Sequence, residues 1–264
     1  MPEPVSLIAT DLDGTLLNSR KEVPSGFEDL VIRHDGISFV IASGRQYYNI
    51  FDLFPKCNDR LFFIAENGAL VIRGGEVIHK DAMRKEDVLQ CIRTFSDPSV
   101  CALILCGVKS AYMLKSSSRE CFENSYKYYK RLDLVSSLEN IDDDILKIAV
   151  FVEGYRADEY YREISPVNDR LDHLLSGDCW IDIANKTVSK GKALRIIREV
   201  TGATFEGSVA FGDYLNDASL LENAGQSYAM TNAHPGLKKA ARYEAAASND
   251  ENGVMETLKI LGIC

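Results

Sequence analysis

The chain has 264 residues, of which 46% are hydrophobic and 26% charged, as in an ordinary globular protein with one large domain or two smaller ones. Its net charge of −9 and the lack of a Lys/Arg-rich block argue against a nucleic-acid partner. No apolar run approaches the roughly 20 residues of a membrane helix, and no basic segment introduces a signal peptide, so we expect a cytoplasmic protein with no membrane partner.

Three apolar runs near the N-terminus predict buried strands, at 5–10, 37–42 and 61–65, with a helix at 27–34. Continuous apolar strands joined by helices indicate a parallel sheet covered on both faces. In such a sheet ligands bind at the carboxyl ends of the strands. Asp11, Asp13, Ser43 and Asn67 all fall at that edge.

The middle of the chain has a different pattern, in which paired strand signals surround glycine turns. Hairpins are predicted at 70–79, 101–114 and 173–183, a strand at 146–152, and helices at 84–95, 120–131 and 157–164. Hairpins mixed with helices are typical of an α+β domain with an antiparallel sheet.

The α/β pattern returns towards the C-terminus. Strands are predicted at 209–211 and 227–230, and helices at 192–200, 215–224, 236–242 and 253–261. The predicted fold class is therefore α/β, with a Rossmann-like three-layer core and an inserted α+β domain. We place the core at residues 1–82 and 186–264 and the insertion at residues 83–185.

Asp11 and Asp13 stand two residues apart where a strand runs into Gly14. Carboxylates this close repel each other and are costly to bury, so the pair indicates either a cation site or a nucleophile with an acid–base partner. If only this segment is considered, an ordinary turn with Asp13 before Gly14 is supported nearly as well as a cation site or a catalytic pair.

Further polar residues stand where core strands end or core helices begin. Asp213, together with either Asn216 or Asp217, supplies hard oxygen ligands that suit Mg²⁺ alongside Asp11. Ser43 and the backbone after it can bind phosphate oxygens, and Lys190 adds a fixed positive charge.

Each of these residues also has a structural interpretation. Asp213 and Asp217 can be a helix N-cap and a solvated first-turn acid, and Ser43 can be an N-cap. Arg45 can form a surface ion pair instead of contacting substrate, and Asn67 before Gly68 is a natural turn residue.

The order of these motifs resembles the haloacid dehalogenase-like hydrolase superfamily, and within it the Cof-type subfamily with a C2B cap. The resemblance covers nearly the whole chain, and its motifs are highly specific only in combination. They are DLDGTLL at 11–17, ASGR at 42–45, ENGA at 66–69, VSKGKAL at 188–194, GDYLND at 212–217, AMTNA at 229–233 and NGV at 252–254.

The resemblance implies a role for each residue of the site. Asp11 is the nucleophile, Asp13 the general acid and base, and Lys190 a third catalytic residue that also binds phosphate. The residues that the resemblance implies for binding phosphate or substrate are Ser43, Gly44, Arg45, Asn67, Lys190 and Asn216. Mg²⁺ is the implied cofactor, with the metal set Asp11, Asp13 through its backbone carbonyl, Asp213, Asn216 and Asp217.

The function that follows is an Mg²⁺-dependent hydrolase, a phosphatase of small phosphorylated metabolites such as sugar phosphates. The implied partner is a small phosphate ester, and the predicted oligomeric state is a monomer or a weak homodimer. One alternative is a phosphotransferase or mutase that uses the same aspartyl-phosphate chemistry on hexose phosphates. Another is a non-catalytic regulator that binds a phosphometabolite, although a pure binder has no need of Asp13.

Overall fold

The computed structural model describes residues 3–154 and 156–264. Two compact units are present. One is formed by the chain up to His79 together with Ser189–Cys264, and the other is Lys80–Val188. We call the first the core unit and the second the inserted unit.

The first part of the core unit alternates strands and helices before it ends in two adjacent strands. Its elements are β1 Leu7–Asp11, α1 Phe27–Arg33, β2 Ser38–Ala42, α2 Tyr47–Phe51, β3 Phe62–Ala65, β4 Leu70–Arg73 and β5 Glu76–Lys80.

The inserted unit is contiguous in sequence. Its elements are α3 Lys85–Thr94, β6 Cys101–Gly107, β7 Ala111–Leu114, α4 Arg119–Tyr128, β8 Leu132–Val135, β9 Ile145–Val152, α5 Ala157–Glu163, β10 Leu171–Gly177 and β11 Trp180–Asn185.

The last part of the chain returns to the core unit. It contributes α6 Lys190–Thr201, β12 Ser208–Gly212, α7 Ala218–Glu222, β13 Gln226–Ala229, α8 Pro235–Ala240, β14 Tyr243–Glu244 and α9 Gly253–Ile260. A 3₁₀ turn, Leu215–Asp217, precedes α7.

The core unit has an eight-stranded sheet in the order β14-β13-β12-β1-β2-β3-β4-β5. All five residues of β1 are buried, and this strand pairs in parallel with β12 on one side and β2 on the other. β4 runs antiparallel to β3, so the sheet is parallel from β14 to β3 and turns back at its other edge. The carboxyl ends of β12, β1, β2 and β3 therefore share one edge.

The inserted unit has a six-stranded sheet in the order β10-β11-β9-β6-β7-β8. It is antiparallel except between β7 and β8. Alternate residues of the buried strand β9 face opposite sides of the sheet. Ile148 and Val150 join the apolar cluster that includes Cys91 of α3, whereas Phe151 joins the cluster that includes Cys121 of α4.

The predicted fold class, an α/β core with an inserted α+β unit, is confirmed, and several details are corrected. The predicted helix at 120–131 ends at Tyr128, and the residues after it form β8. The predicted helix at 215–224 is divided into the 3₁₀ turn and α7. The short elements α2, with 5 residues, and β14, with 2, were not predicted. All seven cysteines are free.

No helix among residues 3–154 and 156–264 is both long enough and apolar enough to cross a membrane.

An ion pair between the buried Asp87 and the half-exposed Arg170 joins α3 to another segment of the inserted unit. Asp87, whose side chain is 1% exposed, accepts hydrogen bonds from Arg170 Nε at 3.1 Å and from Asn168 Nδ2 at 2.8 Å. Hydrogen bonds from Arg170 outweigh the effect of burial and hold the pKa of Asp87 below its usual value. The pair links the start of α3 to the segment just before β10.

We predict that Asp87→Ala lowers the free energy of unfolding by about 2 kcal/mol, because charged hydrogen bonds to a buried carboxylate are lost. Urea denaturation followed by tryptophan fluorescence measures this, since the single tryptophan, Trp180, lies in the inserted unit. Glu86→Ala is the matched control. Glu86 also contacts Arg170, at 3.2 Å, but its side chain is 65% exposed, and the expected loss is below about 0.5 kcal/mol. Equal losses in the two variants would contradict the prediction.

Candidate active site

Four neighbouring strands of the core sheet end in predicted site residues. Asp11 is the last residue of β1, Ser43 directly follows β2, and Asp213 directly follows β12. The turn Glu66–Gly68, which contains Asn67, follows β3. The sheet order β12-β1-β2-β3 brings all of these residues to one edge.

Lys190 connects two buried carboxylates at this edge. Its Nζ donates to Asp11 Oδ1 and to Asp217 Oδ1, both at 2.6 Å. The three side chains are 1%, 8% and 0% exposed, in that order. Burial alone would lower the pKa of Lys190, but the charges of Asp11 and Asp217 outweigh it and hold that pKa above its ordinary value. Lys190 is therefore a fixed cation at the first position of α6.

Asp217 also fixes the backbone of the loop that carries Asp213. Its Oδ2 accepts from the backbone N–H groups of Asp213 at 3.0 Å and Tyr214 at 3.2 Å. The second of these bonds belongs to a capping box on the 3₁₀ turn Leu215–Asp217, and the Asp217 side chain is fully buried. The alternative interpretation of Asp217 as an exposed first-turn acid is therefore wrong.

Three carboxylates crowd together beside Lys190. Asp11, Asp213 and Asp217 each offer an oxygen, and these oxygens lie within 4.8 Å of one another. Burial, reinforced by Asp217, raises the pKa of Asp213 to about 6. Burial and the charge of Asp217 also raise the pKa of Asp11, against the opposing effect of Lys190. Such crowding of hard oxygen donors suits a divalent cation.

Gly14 allows the two sides of this cluster to approach. Its φ angle is +80°, and a Cβ there would lie 2.3 Å from Asp213 Oδ2. The next residue, Thr15, donates its hydroxyl to Asp213 Oδ1 at 3.2 Å. The backbone after β1 therefore packs directly against the Asp213 carboxylate, and only glycine fits at position 14.

Asp13 is held by two cations. Arg45 donates Nε to Asp13 Oδ2 at 2.7 Å and Nη2 to Oδ1, and Lys21 Nζ donates to Oδ1 at 2.7 Å. Burial would raise the pKa of Asp13, but the hydrogen bonds from Arg45 and Lys21 outweigh it and lower that pKa. The guanidinium of Arg45 therefore contacts a site carboxylate, and its predicted contact with substrate stays a prediction.

Ser43 is buried beside the turn that follows β3. Its hydroxyl accepts from Arg45 N at 3.2 Å, and its carbonyl accepts from Asn67 N at 3.0 Å. The helix that follows, α2, begins at Tyr47 with Gln46 as its N-cap. The alternative of Ser43 as a helix N-cap is therefore wrong, and its phosphate-binding role stays a prediction.

Asn67 and Asn216 meet across the site. Asn216 Nδ2 donates to Asn67 Oδ1 at 3.3 Å. The Asn67 carboxamide also lies against Gly44, where a Cβ would be 3.0 Å from Asn67 Oδ1. In this structure Asn216 thus contacts another carboxamide, and its predicted roles at metal and phosphate stay predictions.

Sequence reasoning missed two residues that contact the site carboxylates, Thr15 and Lys21. Thr15 lies inside the DLDGTLL motif, so its place directly after Gly14 was an available signal. Lys21 is eight residues from Asp13 in an irregular loop, where no periodicity indicates its direction.

Comparison with known proteins identifies the family of the chain. The family model described as haloacid dehalogenase-like hydrolase matches residues 8–258. The chain belongs to that family. Within it, the 5-amino-6-(5-phospho-D-ribitylamino)uracil phosphatase YbjI of Escherichia coli (strain K12) is 29% identical, over 96% of this chain and 95% of that protein.

Two further proteins are similar to this chain over nearly its whole length. Phosphatase YwpJ of Bacillus subtilis (strain 168) is 26% identical, over 97% of this chain and all (100%) of that protein. The crystal structure of SMU.1108c from Streptococcus mutans UA159 has a TM-score of 0.85 and 31% identity, and covers 98% of this chain and 100% of that one. The predicted family, and with it the prediction of a phosphatase enzyme, are confirmed.

We predict that Lys190→Met lowers the free energy of unfolding by about 3 kcal/mol, because two buried carboxylates lose their shared cation. Denaturation in EDTA measures the loss without contributions from bound metal. Lys56→Met, which removes a lysine whose side chain is 64% exposed, is the control and is expected to change little. A Lys190→Met variant as stable as the control would show that the pair with Asp11 and Asp217 adds no stability.

Proposed function

We propose that this enzyme is an Mg²⁺-dependent phosphatase of small phosphate monoesters, with sugar phosphates as the substrate class. The observation that carries the proposal is the buried Asp11–Lys190–Asp217 arrangement, with Asp13 two residues from Asp11 at the same sheet edge. Such an arrangement offers a carboxylate nucleophile, a fixed cation and a separate acid–base group.

The residues present fit Mg²⁺. Three carboxylates offer oxygens within 4.8 Å of one another, and burial disfavours that much negative charge unless a cation balances it. Asp11, Asp213 and Asp217 would hold the ion, with Asn216 and the carbonyl of Asp13 as further proposed ligands. When bound, the ion lowers the pKa of neighbouring carboxyls and neutralises charge on the phosphoryl oxygens.

In the proposed first step, a carboxylate oxygen of Asp11 attacks phosphorus. The bond from phosphorus to the ester oxygen breaks, and its electron pair stays on the leaving oxygen, which takes a proton from Asp13. This step requires the neutral form of Asp13, so the contacts with Arg45 and Lys21, which lower its pKa and favour the carboxylate, must weaken before it. In the second step a water oxygen attacks phosphorus of the aspartyl-phosphate and its proton goes to Asp13. The bond from phosphorus to the Asp11 oxygen breaks, and its electron pair stays on the Asp11 carboxylate. Inorganic phosphate leaves, and both carboxyls return to their starting states.

Lys190 and Ser43 bind the phosphoryl group in this proposal. Lys190 already neutralises part of the charge on Asp11, and its ammonium stays in place because Asp217 holds it from the other side. Catalysis of phosphoryl transfer is mostly positioning and charge stabilisation, and a buried lysine provides both.

The substrate class is supported by one relative. The Escherichia coli protein is named for a substrate with a phosphate on a ribityl chain, which is a phosphorylated polyol. We propose a phosphorylated sugar or polyol for this chain as well. We also propose that the predicted insertion, residues 83–185, selects the leaving group.

We predict that the wild-type enzyme releases phosphate from members of a panel of sugar phosphates, polyol phosphates, nucleotides and p-nitrophenyl phosphate. Release should depend on Mg²⁺, stop in EDTA and fall by at least about 1,000-fold in Asp11→Asn, because the nucleophile is lost. The control variant is Asp29→Asn, an exposed residue of α1, which should keep full activity. Hydrolysis that persists in Asp11→Asn would overturn the mechanism. Phosphate exchange between hexose positions without net release would instead indicate the mutase alternative.

We further predict that Asp13→Asn separates substrates by leaving group. An alkyl phosphate needs a proton on its leaving oxygen, whereas p-nitrophenolate leaves unaided. In a single-turnover experiment, the first step should slow by about 100-fold or more for the alkyl ester and by much less for the nitrophenyl ester. Equal losses on both esters would argue against Asp13 as the general acid.

A further inference from the structure

The turn Glu66–Gly68 has an unusual backbone. Its three residues have positive φ angles in succession, 48° at Glu66, 56° at Asn67 and 110° at Gly68. Left-handed backbone is unfavourable for residues with a Cβ, and Glu66 and Asn67 both have one. Surrounding contacts must therefore hold this segment, which we call the left-handed turn.

One set of contacts joins the left-handed turn to the loop of residues 43–45. The backbone N–H of Asn67 donates to the Ser43 carbonyl at 3.0 Å, and that of Glu66 donates to the Arg45 carbonyl at 3.2 Å. Both hydrogen bonds require the N–H groups of the turn to face this loop. The proposed phosphate-binding loop is thus fixed to the turn by its backbone.

A second contact joins the left-handed turn to the start of α6. A Cβ at Gly68 would lie 2.3 Å from the Ser189 carbonyl oxygen and 2.9 Å from Lys190 N. The turn therefore packs against the backbone that carries Lys190, and this close approach, together with its φ angle, requires glycine at position 68.

The side chain of Asn67 makes the third connection. Its Oδ1 accepts from Asn216 Nδ2 at 3.3 Å, and its carboxamide lies against Gly44. Asn216 belongs to the loop of residues 213–217, which carries two of the three clustered carboxylates. One carboxamide thus spans the 43–45 loop and the 213–217 loop.

We propose that Asn67 is a positioning residue, whose carboxamide fixes the separation between the 43–45 loop and the 213–217 loop. The left-handed backbone directs the side chain to that place. This inference rests on the proposed phosphoryl transfer, in which Ser43 of one loop binds the phosphoryl group and the carboxylates of the other loop would hold the ion that neutralises its charge. Small errors in such positioning cost large factors in rate.

Asparagine suits this position for two physical reasons. It tolerates left-handed backbone better than most residues with a Cβ. Its neutral carboxamide adds no charge, whereas an aspartate would place a further negative charge near the carboxylates of the 213–217 loop. Asn67→Asp should therefore bind phosphate less well than Asn67→Gly.

The decisive comparison is Asn67→Gly against Asn252→Gly. Asn252 has nearly the same backbone, with φ 58° and ψ 38°, compared with 56° and 20° at Asn67. Both substitutions permit the native backbone without a Cβ, and only the first removes a carboxamide from the site. The two variants should melt within a few degrees of each other.

We predict that Asn67→Gly lowers kcat for p-nitrophenyl phosphate by about 10-fold. Its affinity for inorganic phosphate in the presence of Mg²⁺, measured by calorimetry, should also fall by about 10-fold. Asn252→Gly should leave both quantities unchanged. Unchanged kcat and phosphate affinity in Asn67→Gly would overturn the inference, as would equal losses in the two variants.

A double-mutant cycle tests the contact itself. If Asn67 acts through Asn216, the Asn216→Ala change should cost less in the Asn67→Gly background than in the wild type, and the cost that remains reflects the loss of Asn216 as a proposed Mg²⁺ ligand. Additive losses would overturn this part of the inference. Failure of the proposed function can be told apart from failure of this inference. If the proposed function is wrong, Asp11→Asn will not lower turnover. The measurement of phosphate affinity does not depend on turnover and tests the inference by itself.

Discussion

A single ammonium group between two buried carboxylates organises this site. Lys190 Nζ lies 2.6 Å from both Asp11 and Asp217, with all three side chains almost fully removed from water. Each charge alone would be costly to bury, so each requires the others. The contact joins the end of β1, the start of α6 and the 3₁₀ turn before α7, and thus fixes three elements relative to one another.

The strand order explains why this pair forms where it does. From β1 the chain continues to β2 and β3 on one side, while β12, β13 and β14 lie on the other. The connection after β1 leads to one side of the sheet, and the connection after β12 leads to the other. Ligands of open α/β sheets bind between two strands whose connections diverge in this way. Asp11 and Asp213, at the ends of these two strands, meet there with Asp217.

The sequence was sufficient to predict the buried strands, because runs such as residues 37–42 are continuously apolar and end at polar residues. It also placed Asp11, Ser43 and Asp213 at one edge, because parallel strands share the direction of their carboxyl ends. Strands β8 and β14 were not predicted, because each is short and forms a strand only through its pairing with a neighbouring strand. Arg45 and Lys21 were not predicted to meet at Asp13, since side-chain directions in loops are set by tertiary contacts.

The split arrangement of the core unit has a consequence for its biosynthesis. The central pairing of Leu7 with Ser208 joins the two halves of the core sheet across the whole inserted unit. During translation the inserted unit, contiguous from Lys80 to Val188, has all of its strands available before β12 emerges from the ribosome. Until β12 is made, the backbone N–H and C=O groups along one side of β1 have no strand to pair with. Pairing over so long a stretch of chain gives a high contact order, which slows folding, so the core sheet is completed only when the last quarter of the protein is made.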